Sequence, residues 1–493
     1  MKAQFWTAFF LVALSWTDSA PAQAPSDRAA PRMKAIVYHA FGSPDVLRLE
    51  EIEKPVPDDD QVLVKVRAAS VNPYDWHMMR GEPCLMRMET GLFHPKDPRL
   101  GTDFSGTVEA VGRNVTQFQP GDEVFGGRNG AFAEFVCVRA DRNVVLKPTN
   151  MSFEQAASVP IAAITALQVL RDKAGIQPGQ KVLINGASGG VGTFAVQIAK
   201  SFGAEVTGVC STRNVEMVRS LGADRVIDYT KEDFTKSARD FDVILDCVAN
   251  HSLLACRRVL KPQGKYIMIG GPAGRWIRPM DTAIAAMVVS RFVTQDMGMF
   301  MSGLNKEDLT VLHDLMQSGK LTPVIDRQYK LSEVPEAIRY LEAGHARGKL
   351  VITVGPDDAV APLSANSQSF LERSGPLLAV IAFFAIAIGL PIVASLALHR
   401  RAQRREPGQR PFRWGYYFSV QCFVAGICLG LVLESGVATV IVCGILYGML
   451  AWCFARRQHW AWIALTILSF NPIAWIINFF YLRKRWAETY GVR

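Results

Sequence analysis

A cluster of glycines at residues 186–192 has the composition and the flanking sequences of a site that binds a pyrophosphate. The apolar run 182–184 precedes it, and small and apolar residues at helical spacing follow it up to residue 199. A strand, a glycine-rich turn and a helix in that order let the backbone approach a pyrophosphate, whose charge the helix N–H groups then hold. Glycine-rich turns also join ordinary strands to helices, so the flanking sequences carry this interpretation. The predicted contacts are Ala187, Ser188, Gly189, Gly190, Val191 and Gly192.

The next predicted strand, 205–210, ends in residues that select the form of the nucleotide. An NAD site has an acidic residue about 20 residues past the glycine motif, where it binds the ribose 2′-hydroxyl. This chain has Ser211, Thr212 and Arg213 there. Two hydroxyls and a guanidinium suit a 2′-phosphate, so the predicted cofactor is NADPH. The alternative is that Arg213 is an ordinary solvated arginine.

Seven stretches between residues 33 and 354 follow one another in a recognisable order. They read MKAIVYHAFGSPDVLRLEE, VNPYDWHMMRGE, GTDFSGTVEAVG, GDEVFGG, LINGASGGVGTFAVQIAK, GVCSTRNVEMVRSLGADRVIDY and ARGKLVI. In this order they resemble the zinc-independent, quinone-oxidoreductase-like branch of the medium-chain dehydrogenase/reductase superfamily. The resemblance implies an α/β fold in which a GroES-like β domain surrounds a Rossmann domain with a doubly wound parallel sheet.

The resemblance also implies which side chains surround the nicotinamide and the substrate. Asn72 would orient the substrate, and Tyr74, Asp75 and His77 follow it in the same turn. A histidine of ordinary pKa, near 6.5, can supply the proton that accompanies hydride delivery; the alternative for His77 is a surface-loop histidine, and for Tyr74 it is packing. Thr165 matches a position beside the nicotinamide, with capping or packing as the alternative. Tyr229 and Lys349 match positions near the adenosine phosphate, and either could instead be a solvated polar residue. Val248 and Gly270 follow successive sheet strands, where ligands of an α/β sheet bind.

The positions that hold the catalytic zinc ion elsewhere in this superfamily carry other residues. Asn72 stands where those enzymes have a cysteine, and Gly101-Thr102-Asp103 stands where they have glycine, histidine and glutamate. A tetrahedral zinc site needs thiolate or imidazole ligands. We therefore predict no bound metal, and expect hydrogen bonds to polarise the substrate carbonyl.

Length, composition and the domains that the resemblance implies together divide the chain of 493 residues into six parts. Its net charge of +9 comes with arginines beside apolar C-terminal segments, which indicates membrane flanks rather than a nucleic-acid partner. The nine cysteines include no C-x-x-C pair, so neither a disulfide framework nor a structural zinc site is predicted. The parts are a signal-like or mis-assigned extension (1–32), a GroES-like catalytic domain (33–150), a Rossmann NADP-binding domain (151–300), a return to the catalytic domain (301–354), a linker (355–374) and a membrane domain of about four helices (375–493).

Both ends of the chain carry signals for localisation. The N-terminal residues 1–32 have an apolar run and a small-residue cleavage site, although Met33 is an alternative start. Four apolar segments are each long enough to cross a hydrocarbon core of about 30 Å, and they predict a multi-pass integral membrane protein. We expect a cytoplasmic catalytic domain, because NADPH is a cytoplasmic reductant. The signal-like N-terminus and the arginine-rich loops favour the alternative, an outward-facing domain. The segments are 376–398, 415–433, 437–454 and 460–482.

Together these features predict a membrane-tethered, NADPH-dependent, zinc-independent reductase that transfers a hydride to a quinone, an enone or a related conjugated carbonyl. Its predicted partners are a small lipophilic carbonyl or quinone substrate, the lipid bilayer and a second copy in a homodimer. An NADPH-binding sensor that signals to the membrane helices without turnover is the alternative.

Overall fold

The computed structural model describes residues 31–355, except 84–85, 272–281, 283–284, 287–288 and 291. Within this part the chain builds a mostly antiparallel β domain, a parallel α/β domain, and a C-terminal return to the β domain. The predicted combination of a GroES-like domain and a Rossmann-type sheet is confirmed.

The first domain is built from antiparallel strands with short connections. Its longest strand, Gln61–Val71, buries Val62, Val64 and Val66 on one face and exposes Lys65 and Arg67, the alternation expected of a strand with one face in the core. The helix after it begins at Pro73, since proline suits the first helical turn. The elements are β1 (Arg32–Tyr38), β2 (Leu47–Glu53), β3 (Gln61–Val71), α1 (Pro73–Arg80), α2 (Arg87–Thr90), β4 (Asp103–Val111), β5 (Glu123–Gly127), β6 (Phe135–Arg139) and β7 (Val144–Leu146).

The second domain is a six-stranded parallel sheet with helices between the strands. Its first strand, Lys181–Asn185, has Val182, Leu183 and Ile184 fully buried, because a parallel sheet is covered on both faces. Its elements are α3 (Phe153–Ala157), α4 (Pro160–Gln168), β8 (Lys181–Asn185), α5 (Gly190–Ser201), β9 (Glu205–Cys210), α6 (Val215–Ser220), β10 (Arg225–Asp228), α7 (Phe234–Ser237), β11 (Phe241–Asp246), α8 (Leu253–Val259), β12 (Leu260–Met268) and β13 (Asp296–Met299).

The strand order in this sheet is β10-β9-β8-β11-β12-β13. The chain therefore runs outward from β8 in one direction through β9 and β10, and in the other direction through β11 to β13. Ligands of open α/β sheets bind at the carboxyl edge where the order reverses. In this sheet the reversal lies at β8, directly before the glycine-rich turn.

The chain then returns to the first domain through α9 (Lys306–Gln317), β14 (Ile325–Lys330), α10 (Val334–Glu342) and β15 (Lys349–Thr353). Strand β15 pairs antiparallel with β3, with Leu350 opposite Val71. Just before β15, the Gly348 N–H donates to the Ser188 carbonyl oxygen at 2.9 Å. This crossing brings the glycine turn of one domain against the central sheet of the other.

The strands predicted at 182–184 and 205–210 are present as β8 and β9. Strand β6 begins only at Phe135, although apolar residues precede it. Ala133 instead bridges to Ala35 of β1. It therefore pairs with the two-stranded β1–β2 sheet and not with the seven-stranded sheet that contains β3.

The prediction of a multi-pass integral membrane protein with an all-α membrane domain is corrected. A membrane span needs about 20 consecutive apolar residues, and in the described part of the chain no helix is long and apolar enough to cross a bilayer. The four apolar segments on which the prediction rested, the signal-like residues 1–30 and the linker from 356 lie outside the described residues.

Candidate cofactor and catalytic site

The glycine-rich turn is fixed by close backbone packing. The N–H groups of Gly186 and Ala187 donate to the Val209 carbonyl oxygen of β9 at 3.1 and 3.0 Å. A Cβ atom on Gly192 would lie 2.1 Å from the Gly186 carbonyl oxygen, so only glycine lets α5 begin this close to the turn. The first N–H groups of a helix have no partner within the helix, and α5 presents them at the edge where a pyrophosphate binds.

Asn214 joins the glycine turn to the end of β9. Its Nδ2 donates to Oγ of Ser188 at 3.0 Å and to Oγ of Ser211 at 3.2 Å. The side chain is only 4 % exposed, and its Oδ1 is buried without a partner. Asn214 therefore offers an unused acceptor beside two predicted cofactor contacts. Sequence reasoning missed it, because nothing in the STRN stretch indicates that the asparagine is buried.

The residues predicted to select NADPH lie at the surface. Thr212 Oγ1 donates to Asp228 Oδ2 at 2.6 Å, and the Arg213 guanidinium donates to the His345 carbonyl oxygen at 2.9 Å. Tyr229 follows Asp228 and is 59 % exposed. The structure thus brings Thr212 and Arg213 to the solvent-facing end of β9, with Tyr229 after the neighbouring strand β10.

A buried carboxylate shapes the loop after β11. Asp246 accepts hydrogen bonds from Asn185 Nδ2, from the Tyr266 hydroxyl and from the N–H groups of Val248 and Ala249, at 2.7–3.0 Å. Val248 Cγ2 lies 2.8 Å from the position of a Cβ on Gly186, so Val248 is beside the glycine turn as its position after the strand predicts.

The loop after β12 lies against the loop after β11. A Cβ on Gly270 would lie 2.7 Å from the Cys247 carbonyl oxygen. Both predicted strand-end residues, Val248 and Gly270, therefore lie along one carboxyl edge of the sheet.

Thr165 contacts a residue that sequence reasoning missed. Its hydroxyl lies 2.7 Å from the Ile161 carbonyl oxygen and 2.7 Å from Ser302 Oγ. Gln168, one helical turn further, binds both the N–H and the carbonyl oxygen of Gly303. These bonds hold the 302–303 segment against α4, so Ser302 and Thr165 form one polar pair.

The centre of the site is a buried polar cluster made of Asn72, Asp103 and Lys349. Asn72 Nδ2 donates to Asp103 Oδ2 at 2.9 Å, and Lys349 Nζ donates to Asn72 Oδ1 at 2.5 Å. Lys349 Nζ also lies 3.6 Å from Asp103 Oδ2. All three residues are at most 3 % exposed. Burial raises the pKa of Asp103 and lowers that of Lys349, and their mutual attraction opposes both shifts.

Asp75 adds a second buried carboxyl beside this cluster. In a capping box at the start of α1, its Oδ2 accepts from the Asn72 N–H at 2.7 Å. Burial is the main cause that raises the pKa of Asp75 to about 7, against the opposing hydrogen bond from Asn72. Its Oδ1 is buried without a partner.

Tyr74 and His77 differ in how they could donate a proton. Tyr74 is 42 % exposed, and burial raises its pKa, so its hydroxyl stays protonated. His77 Nδ1 donates to the Glu82 carbonyl oxygen at 2.7 Å, and its ring stacks on Trp76. Burial lowers the pKa of His77, which keeps the ring neutral with its single proton on Nδ1.

The buried side-chain polar atoms that lack a partner concentrate at this site. Within the described residues they are Asp75 Oδ1, Thr102 Oγ1, Asn214 Oδ1 and Arg347 Nε. Asp75 lies beside the buried polar cluster, and Thr102 directly precedes Asp103. Asn214 binds the nucleotide turn, and Arg347 directly precedes Gly348. Since buried polar atoms are normally satisfied, this concentration indicates a site built for a polar ligand.

The two domains and this site define a nucleotide-dependent oxidoreductase of the medium-chain type. A family model described as the alcohol dehydrogenase GroES-like domain matches residues 58–149, and one described as zinc-binding dehydrogenase matches residues 221–352. The chain belongs to the medium-chain dehydrogenase/reductase superfamily, the group related to zinc-type alcohol dehydrogenases.

Individual relatives are more specific. The chain is 37 % identical to a mitochondrial NAD(P)H oxidoreductase of Mus musculus over 65 % of its own length and 89 % of the relative's. It is 34 % identical to a chloroplastic NADPH-dependent alkenal/one oxidoreductase of Arabidopsis thaliana, over 69 % and 84 %. The structure of a quinone oxidoreductase from Coxiella burnetii matches with a TM-score of 0.59 and 34 % identity, covering 66 % of this chain and all of that one.

The zinc ion that one family description implies does not fit this cluster. The amide oxygen of Asn72 and the carboxylate of Asp103 already face the Lys349 ammonium, which would repel a divalent cation. Thr102 supplies a hydroxyl where imidazole would be needed. Across the described residues, no group of three or more histidines, cysteines and acidic residues is placed to hold a metal.

Replacing Gly192 by alanine is expected to destabilise the glycine turn. The new methyl group would lie 2.1 Å from the Gly186 carbonyl oxygen, so the helix must shift at a cost of about 1–3 kcal/mol. Chemical denaturation of the full chain measures this change. Gly189→Ala is the matched control, because its φ of −85° and a nearest contact of 3.4 Å admit a methyl group. Equal losses in both variants would contradict the packing argument.

Asp75 is expected to make the protein less stable as the pH rises. Its pKa is 3.8 unfolded and about 7 in the fold, so the folded state binds the extra proton between these values. The stabilisation is complete below pH 3.8 and disappears as the pH rises through about 7.

The free energy of unfolding of wild type relative to Asp75→Asn should therefore fall over this range, by up to about 4 kcal/mol. Denaturation at a series of pH values measures it. Asp45→Asn is the control of opposite sign, because hydrogen bonds from Ser43 and Arg339 lower the pKa of Asp45. A difference between wild type and Asp75→Asn that does not change with pH would contradict the assignment.

Proposed function

We propose that the protein is an NADPH-dependent, zinc-independent reductase that transfers a hydride to a conjugated carbonyl, either an enone or enal or a quinone. The observation that carries the proposal is the crossing at Gly348, which binds Ser188 of the nucleotide turn and leads directly into Lys349 of the buried cluster. Nucleotide and substrate would therefore meet at one edge of the parallel sheet.

Three features support NADPH as the cofactor. The tight turn at Gly186 and Gly192 opens the start of α5 to a pyrophosphate. Arg213 lies exposed at the end of β9, where a 2′-phosphate would be bound. Asn214 holds an unused acceptor between the glycine turn and the end of β9, which could accept a hydrogen bond from a ribose hydroxyl of the cofactor. Bound NADPH would supply the hydride.

The relatives support the substrate class. One is named for alkenals and enones and another for quinones, and both groups present a carbonyl conjugated to a double bond. Zinc independence is supported by the Lys349 ammonium, which already compensates the cluster's negative charge. The buried cluster would hold the reacting end of the cofactor in a site shielded from water.

The anion that forms when the hydride adds to a conjugated carbonyl also needs a proton. Tyr74 is better placed than His77 to provide it, because its hydroxyl is protonated and half-exposed. The single proton of neutral His77 is already donated to the Glu82 carbonyl oxygen. We assign the proton-donor role to Tyr74 and a packing role to His77.

The full-length protein is expected to consume NADPH with at least one acceptor from a panel of alkenals, enones and quinones, followed by NADPH absorbance. Arg213→Ala should weaken NADPH use at least about tenfold and leave NADH use little changed, because a charge-assisted hydrogen bond is lost. Arg219→Ala, an exposed arginine paired with Glu216, is the matched control.

Two results would contradict this proposal. NADPH binding without consumption across the whole panel would favour a binding module without turnover. Equal losses with NADPH and NADH in Arg213→Ala would remove the 2′-phosphate assignment.

Metal chelation tests zinc independence separately. Dialysis of the active protein against a strong chelator should leave turnover unchanged, because the cluster has its own cation. Elemental analysis before and after dialysis provides the control for complete metal removal. Loss of turnover that added zinc restores would contradict the assignment.

A further inference from the structure

We propose that Lys349 is a positioning residue of the catalytic cluster, whose ammonium stands in place of a metal cation and fixes the orientation of the Asn72 side-chain amide. This inference rests on the proposed function, since it concerns the same site. It assigns Lys349 to the substrate side of the cleft, whereas its sequence position suggested a contact with the adenosine phosphate.

The Lys349 side chain runs past the start of α5 to the end of β3. Lys349 Cδ lies 3.2 Å from the position of a Cβ on Gly190, so the stem passes the start of α5. The ammonium continues beyond this point and reaches the carbonyl end of β3, where it donates to the Val71 oxygen at 3.2 Å. The side chain is only 3 % exposed.

The oxygens around the Lys349 ammonium match its hydrogen-bond donors. An ammonium has three N–H donors and no acceptor. Three oxygens surround this one: Asn72 Oδ1, the Val71 carbonyl oxygen and Asp103 Oδ2, at 2.5, 3.2 and 3.6 Å. Two of the three donors are used in hydrogen bonds to Val71 and Asn72, and the third side of the ammonium faces the Asp103 carboxylate at ion-pair distance. The ammonium is therefore directed at the protein and not at a cofactor phosphate.

The position of the Lys349 ammonium determines the orientation of the Asn72 side-chain amide. Its Oδ1 faces the ammonium, while its Nδ2 faces Asp103 Oδ2 at 2.9 Å and the Ser70 carbonyl oxygen at 3.4 Å. Rotating the amide by half a turn would place its NH₂ group against the ammonium and its oxygen against the carboxylate. Lys349 and Asp103 thus permit one orientation only. The bond from Asn72 Nδ2 to the Ser70 carbonyl oxygen is the longest that Asn72 makes, so this N–H is the donor that a substrate carbonyl could share without rotation of the amide.

A pair of variants separates positioning from charge balance. Lys349→Met leaves Asp103 as a buried, uncompensated carboxylate, and we expect a lower melting temperature. The double variant Lys349→Met/Asp103→Asn removes both charges and should recover most of that loss. If the ammonium positions Asn72, the double variant should remain at least about tenfold low in kcat, the effect of one lost charge-assisted hydrogen bond.

Cofactor affinity is the second measurement. Titration of the full-length variants with NADPH, followed by fluorescence, should give a dissociation constant within about threefold of wild type, well below the change expected from a lost hydrogen bond to a charged phosphate. Lys236→Met, an exposed lysine paired with Asp233, is the matched control.

Recovery of kcat together with the melting temperature in the double variant would overturn the positioning role. A large loss of NADPH affinity in both Lys349 variants would overturn the placement and favour the phosphate contact. Absence of turnover in the wild-type protein would contradict the reductase proposal alone. The NADPH dissociation constants would still decide the placement of Lys349.

Discussion

The burial of one lysine against Asn72 and Asp103 is the constraint on which the two-domain arrangement depends. An ammonium can leave water only if oxygens replace its hydration. Those oxygens belong to Val71 at the end of β3, to Asn72 directly after it and to Asp103 at the start of β4. Lys349 reaches them because β15 pairs with β3. Gly348 makes this path possible: its φ is +98°, and a Cβ would lie 2.3 Å from the Val324 carbonyl oxygen.

The nucleotide side depends on the same crossing. Gly348 binds Ser188, Ser188 binds Asn214, and Asn214 binds Ser211 at the end of β9. This short chain of hydrogen bonds connects the buried polar cluster with the residues predicted to face a 2′-phosphate. Close packing supports it, since a Cβ on Gly208 of β9 would lie 2.5 Å from Val218 Cγ1. Neither half of the cleft is therefore assembled independently.

Local patterns were readable from the sequence, and long-range contacts were not. The strands at 182–184 and 205–210 and the glycine turn between them lie within 30 residues of one another, and their periodicity and composition suffice. Lys349 and Asn72 are 277 residues apart, and their contact requires the pairing of β15 with β3. Ser302 and Asn214 carried no signal, because burial and partners determine their roles and a single sequence displays neither. The apolar segments beyond residue 375 dominated the localisation prediction, although they lie outside the domains that form the site.

The protonation of Asp75 balances the charges of the buried polar cluster. Lys349 carries one positive charge, and Asp103 is the carboxylate within ion-pair distance of it. Asp75 is a second buried carboxyl whose Oδ1 has no partner, and a second negative charge there would be uncompensated. Burial is the main cause that raises the pKa of Asp75 to about 7, and repulsion from Asp103 adds to it. The cluster is neutral when Asp75 holds a proton. A dinucleotide pyrophosphate at the start of α5 would add negative charge to the same region and favour that protonated form further. The cation that replaces a metal thus compensates a single carboxylate, and a proton compensates the other.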